Sequence, residues 1–129
     1  MRLGTDIIEI DRVYSATLRQ TEFARRILSD GEYSLYTQFS GQRQMEFLAG
    51  RFAAKEAYSK ALGTGIGRLR FDHIEIMADE KGAPRVVKGP IIKGALVSIS
   101  HCQMYAMATV IFDLSDQEID SQVESFFQR

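Results

Sequence analysis

Disulfides, membrane spans and repeats are all missing from this sequence. Its single cysteine, Cys102, cannot close an internal disulfide, which suits a reducing compartment and makes a cytoplasmic location the expectation. No apolar run approaches the roughly 18–20 residues that a spanning helix needs, so no membrane role is expected. The start of the chain lacks a basic stretch followed by an apolar one, so no signal peptide is expected either. Only two prolines interrupt the chain, and no repeat, low-complexity tract or linker divides it. One sign of charge does not dominate: 16 Lys and Arg stand against 17 Asp and Glu, for a net charge of -1. That balance is too even to argue for a nucleic-acid partner.

What is present fits one folded domain of 129 residues, 45% hydrophobic and 26% charged. The charge is uneven along it. Residues 113–129 hold Asp113, Asp116, Glu118, Asp120 and Glu124 against Arg129; removing them leaves 12 acids against 15 bases. Arg12, Arg19, Arg25 and Arg26 make the early chain locally basic, as an anionic ligand or partner would require.

The alternating, β-branched run from Leu3 to Ile10 reads as a strand. Short helices follow from Asp11 to about Phe39, one of them opened by the capping box Ser29…Glu32. Gln42 to Leu62 is a long helix in which Met45, Leu48, Phe52 and Ser59 share a face and Gly63 supplies the left-handed cap. Strands are expected at Phe71–Met77, Arg85–Lys88, Leu96–Ser100 and Tyr105–Phe112, the last two as a hairpin, with a turn at Asp79–Gly82. Ser115 and Glu118 cap a final amphipathic helix carrying Ile119, Val123, Phe126 and Phe127 on one side. The expected fold is α+β: a mostly antiparallel sheet packed against one long helix, over residues 1–114, with an acidic tail at 115–129.

Several residues do not suit a plain core. Asp6 sits among apolar strand residues and either faces solvent or needs a partner, because burying a lone carboxylate is costly. Glu56 leaves the apolar flank of the long helix, with Lys60 one turn on. The two form either an ordinary surface i, i+4 pair or, together with Asp6, a place where Mg²⁺ and a phosphate would meet carboxylates and a lysine. Arg43, Arg51 and Lys55 form either a solvated face or a phosphate cradle. Gly63-Thr64-Gly65-Ile66-Gly67 closes a helix rather than opening one, so it is a cap and not a dinucleotide fingerprint. His101, at a strand end, either donates to a phosphate or bonds locally in the hairpin. Its neighbour Cys102 points the other way and reads as a small buried or half-buried thiol. His73, inside an expected strand, reads as structural.

Taken together, Gly4-Thr5-Asp6-Ile7-Ile8-Glu9-Ile10-Asp11-Arg12, the run from Glu46 to Gly65, Gly82-Ala83-Pro84 and Ser98-Ile99-Ser100-His101 resemble the holo-acyl-carrier-protein synthase family of phosphopantetheinyl transferases. The pieces occur in the family's order, from about residue 3 to 112, and the long central motif is the specific one. The resemblance implies transfer of 4′-phosphopantetheine from coenzyme A to a serine of an acidic acyl carrier protein, in support of fatty acid biosynthesis. It implies Mg²⁺ on Asp6 and Glu56, Lys60 on the phosphate under attack, and Glu56, or a water it orients, accepting the serine proton. Arg43, Arg51 and His101 would hold the nucleotide end, with Gly63, Gly65 and Pro84 close to the ligand. Arg12, Arg19, Arg25 and Arg26 would dock the carrier, and the assembly would be a homotrimer. Cys102 stands where the family often has threonine, and the tail beyond Leu114 extends past the family pattern.

Overall fold

Alternation along residues 2–9 gives strand β1 (Arg2–Glu9). It ends one residue earlier than expected because Ile10 already opens helix α1 (Ile10–Arg19), where its side chain is buried. In this computed structural model residues 1–128 are described; residue 129, the last of the expected tail, lies outside them. Helices α2 (Phe23–Ile27) and α3 (Asp30–Tyr36) follow. Ser29 Oγ accepts from the Glu32 N–H at 3.2 Å and Glu32 Oε1 accepts from the Ser29 N–H at 2.8 Å, so the capping box forms as read.

Helix α4 (Gly41–Leu62) ends on Gly63 at φ 82°, a left-handed cap open to glycine. Fourteen of its 22 residues are buried, so it is covered on several sides and one apolar stripe does not describe it. After it, a 3-10 turn at Phe71–His73 replaces the start of the expected strand 71–77. There His73 Nδ1 accepts the Arg70 N–H at 3.1 Å, a structural role but on a turn. Strands β2 (Glu75–Ala78), β3 (Pro84–Lys88), β4 (Ala95–His101) and β5 (Tyr105–Phe112) complete the β structure.

The strands form two antiparallel sheets, one ordered β1-β5-β4 and one made of β2 and β3. The larger sheet lies on α4, and Gly4 decides how closely. A Cβ at Gly4 would collide with the Ala57 carbonyl oxygen, so only glycine lets β1 cross the helix here. Side chains alternate across a strand, so Asp6 shares the helix-facing side with Gly4. The other side carries Leu3, Ile7, Leu96 and Met107, all exposed.

Helix α5 (Asp116–Phe127) docks the tail on the core. Ile119 is fully buried in the same core cluster as Ala57 and Ala61, and Val123, Phe126 and Phe127 pack against that cluster. Arg2 bonds Asp116 at 2.8 Å and Asp120 at 2.7 Å and donates to the Leu62 carbonyl at 3.0 Å. Exposed pairs of this kind contribute about 0–1 kcal/mol, whereas burying one isoleucine contributes about 1.5–3 kcal/mol. The apolar face therefore holds the tail and the arginine sets its register.

Candidate active site

The Gly4 crossing puts Asp6 beside the last turns of α4. Lys60 Nζ lies 3.1 Å from Asp6 Oδ1 and 3.0 Å from the Thr5 carbonyl. The lysine side chain is 55% exposed and the aspartate 18%, so the pair is open on the lysine's side. Glu56 stands one helical turn before Lys60, half-buried. Burial first, and the Asp6 charge second, push its carboxyl above the ordinary glutamate range, while Lys60 opposes the shift. The two carboxylates thus share one field. They line a cavity of about 460 Å³ together with Arg12, Arg19, Phe23 and Phe52.

A second cavity, of about 300 Å³, lies on the far side of α4 and is lined by Arg43, Glu46, Arg51, Gly82, Pro84 and His101, among others. At 100° per residue, Arg43, Phe47 and Gly50 point roughly 120–180° away from Phe52 and Glu56. The helix therefore separates a carboxylate side from a cationic side. Each cation rests on an aromatic ring, Arg43 over Phe39 and Arg51 over Phe47, both at 4.6 Å. Arg51 is buried, and burial pulls its guanidinium below the ordinary arginine range. His101 Nδ1 is 3.7 Å from Glu46 Oε2.

Other expected residues fall elsewhere. Lys55 is neither a solvated cation nor part of a phosphate cradle. Fully buried, its Nζ donates to Glu32 Oε1 at 2.6 Å, the Ile27 carbonyl at 2.7 Å and the Phe71 carbonyl at 3.0 Å. Gly63 and Gly65 (φ 82° and 68°) shape the turn after α4 and line neither cavity. The four early arginines divide. Arg12 and Arg19 flank the carboxylates, while Arg25 and Arg26 line a separate concavity with Arg70. Cys102 is exposed rather than buried, because the β4–β5 turn holds it outside the sheet. Glu46 and Glu32 escaped the sequence reading. Glu32 carried a signal only as a cap, and Glu46 sat in the central motif with no partner visible nearby in sequence.

Asp6 and Glu56 supply oxygen donors, the ligand type a hard divalent cation takes. Among the described residues no group of three or more His, Cys, Asp and Glu side chains is placed to hold a metal ion by itself. Two carboxylates suit Mg²⁺, which is commonly bound by one or two of them and completes its shell with water and substrate phosphate. The second cavity, with two arginines, a histidine and aromatic walls, suits an anionic, partly aromatic ligand.

Residues 2–110 match the 4′-phosphopantetheinyl transferase superfamily. A holo-[acyl-carrier-protein] synthase of Streptococcus equi subsp. zooepidemicus is 48% identical over 110 residues, 85% of this chain and 93% of its own. One from an Exiguobacterium species is 48% identical over 120 residues, 92% and 97% of the two chains. The crystal structure of the Bacillus anthracis holo-(acyl-carrier-protein) synthase in complex with CoA (3′,5′-ADP) superposes with a TM-score of 0.78 at 41% identity, covering 88% of this chain and 96% of that one.

Proposed function

The chain belongs to the 4′-phosphopantetheinyl transferase superfamily, and from that premise we propose that it transfers the 4′-phosphopantetheine of coenzyme A to a serine of apo acyl carrier protein. The products are holo carrier protein, which serves fatty acid biosynthesis, and adenosine 3′,5′-bisphosphate. The observation that carries this reading is the meeting of Asp6 and Glu56 at one open cavity, with Lys60 3.1 Å from Asp6, from a strand and a helix 50 or more residues apart.

Asp6 and Glu56 are the residues that would hold Mg²⁺. When bound, the ion supplies charge stabilisation to the pyrophosphate oxygens. Lys60, exposed and held near Asp6, meets the phosphate under attack as a point charge and stabilises the negative charge developing there. The serine hydroxyl attacks the β-phosphate, and the bond to the adenosine bisphosphate breaks. Glu56 is positioned to take the serine proton, directly or through a water, and its raised affinity for protons brings it closer to the range a general base needs. Arg43, Arg51 and His101 hold the nucleotide end in the second cavity, with Pro84 against the base.

The carboxylates and the nucleotide cavity lie on opposite faces of α4, and one chain does not bring them together. The exposed apolar face of Leu3, Ile7, Leu96 and Met107 belongs to a sheet whose edges are β1 and β4. Covering such a face and such edges favours association. We read the assembly as a homotrimer, with one subunit's nucleotide cavity completing the next subunit's carboxylate site. Arg12 and Arg19, beside the carboxylates, receive the acidic carrier protein, with Arg25 and Arg26 further along the same basic stretch. No helix among the described residues is long and apolar enough to cross a membrane, and the lone exposed thiol suits the reducing cytoplasm, where we place the reaction.

Mass spectrometry of apo acyl carrier protein incubated with this protein, coenzyme A and Mg²⁺ tests the proposal. The carrier should gain the mass of one phosphopantetheine, and the gain should vanish with a chelator. A carrier of unchanged mass would overturn it.

A further inference from the structure

The Glu32 carboxylate is fully buried, yet it lies in neither cavity. It is also the most heavily bonded acid in the core. Oε1 accepts from Lys55 Nζ at 2.6 Å and from the Ser29 N–H at 2.8 Å, and Oε2 accepts from the Ile76 N–H at 2.7 Å. The last contact is the informative one. Ile76 sits at an irregularity in the β2–β3 ladder, where the register shifts between Glu75 and Ile76. Its carbonyl accepts from Arg51 Nε at 3.0 Å. Both peptide groups of Ile76 are therefore gripped by side chains, the N–H by Glu32 and the carbonyl by Arg51.

Arg51 spends Nε on Ile76 and keeps the rest of its guanidinium in the second cavity, over Phe47. The hairpin that Ile76 belongs to supplies Ala78, Gly82 and Pro84 to the opposite wall. A shift of the Ile76 peptide would thus move the guanidinium and that wall together. The neighbouring link is held the same way, with Ser29 Oγ donating to the buried Glu75 Oε2 at 2.6 Å.

We infer that Glu32, braced by Lys55, is the positioning residue of the nucleotide cavity: through the Ile76 peptide it sets the placement of Arg51 and of the β2–β3 wall. This rests on the reading of that cavity as the coenzyme A nucleotide site. The carboxylate site across α4 shares none of these contacts, so the effect is specific to one substrate.

Replacing Glu32 alone would strand the Lys55 charge in the core, so the charges are removed as a pair. In Glu32→Met with Lys55→Met, the KM for coenzyme A should rise about tenfold while kcat and the KM for carrier protein stay within about twofold. Glu32→Gln with Lys55→Met keeps an acceptor for the Ile76 N–H and should return the KM toward the native value. A purely structural role would lower the melting temperature of both pairs and shift neither KM. In the unaltered protein, the Ile76 amide should gain hydrogen-exchange protection when adenosine 3′,5′-bisphosphate is added. An unchanged KM in the Met pair beside a raised KM in Arg51→Ala overturns the role of Glu32 alone. An unchanged KM in Arg51→Ala removes the cavity reading and this inference with it. If the Met pair fails to fold, absence of protection at Ile76 overturns it.

Discussion

Two lysine–carboxylate pairs stand five residues apart on the same helix and do opposite work. Lys55 and Glu32, 2.6 Å apart, are both fully buried, and every proton and oxygen that matters is taken by the protein. Lys60 and Asp6, 3.1 Å apart, leave the lysine 55% exposed, with a second carboxylate alongside. A buried pair returns its desolvation cost only when it is fully bonded, and then it fixes the surrounding elements. An open pair contributes little to stability, and its unused valences remain available to a ligand. The closed pair builds the frame, and the open pair is the one proposed to meet the substrate.

Breaking the closed pair should produce the largest effect. Lys55→Ala leaves the Glu32 charge buried without its cation and should cost about 3–5 kcal/mol of stability. Chemical denaturation of the variant beside the parent chain checks this, and a loss as small as that of an exposed pair would erase the contrast.

The open pair should show the reverse profile. Asp6→Ala or Glu56→Ala should lower turnover by about 10²–10³-fold, whereas Asp6→Ala should change stability by no more than about 1 kcal/mol. Turnover and melting measured on the same samples separate the two. Substantial turnover of either variant in chelator would end the metal assignment.

A smaller effect is expected at the arginines beside the open pair. Reversing Arg12 and Arg19 to glutamate should raise the KM for carrier protein about tenfold, and more than reversing Arg25 and Arg26, which line another concavity. Because charges at a surface are screened over about 8 Å at physiological salt, the difference should shrink in kinetic assays at high salt. Equal effects from the two reversals would mean that the carrier spans both concavities.

The smallest effect concerns Glu56 itself. Its proton affinity is raised by burial and by Asp6, so the folded state binds that proton more tightly than the unfolded chain does. At neutral pH the folded chain thus carries the charge at a cost, and Glu56→Gln should melt slightly higher in metal-free buffer. The gain should fade as pH falls through the ordinary glutamate value of 4.5, below which the folded and unfolded chains are both protonated at Glu56. A gain that persists at low pH would assign the effect to something other than the charge.

The residue types of the site were legible in sequence because Asp6, Glu56 and Lys60 are chemically out of place among apolar neighbours. Their convergence was not, since the contact between Asp6 and Lys60 spans 54 residues. Lys55 misled for the same reason: one turn of helix before Ser59, its charge reads as solvated until the covering elements are known.

Local rules acting over three or four residues settled α4 and its Gly63 cap, the Ser29–Glu32 and Ser115–Glu118 boxes and the β4–β5 hairpin, and the sequence alone determined these. Only the tertiary structure decided that Gly4 would carry β1 against Ala57 and set Asp6 beside Lys60. It also decided that α2, α3 and the Phe71 turn would close over Lys55, and that two cavities would open on opposite faces of one helix. Capping and alternation are written into neighbouring residues. Burial and approach depend on which distant segment covers a side chain, and no short stretch of sequence carries that information.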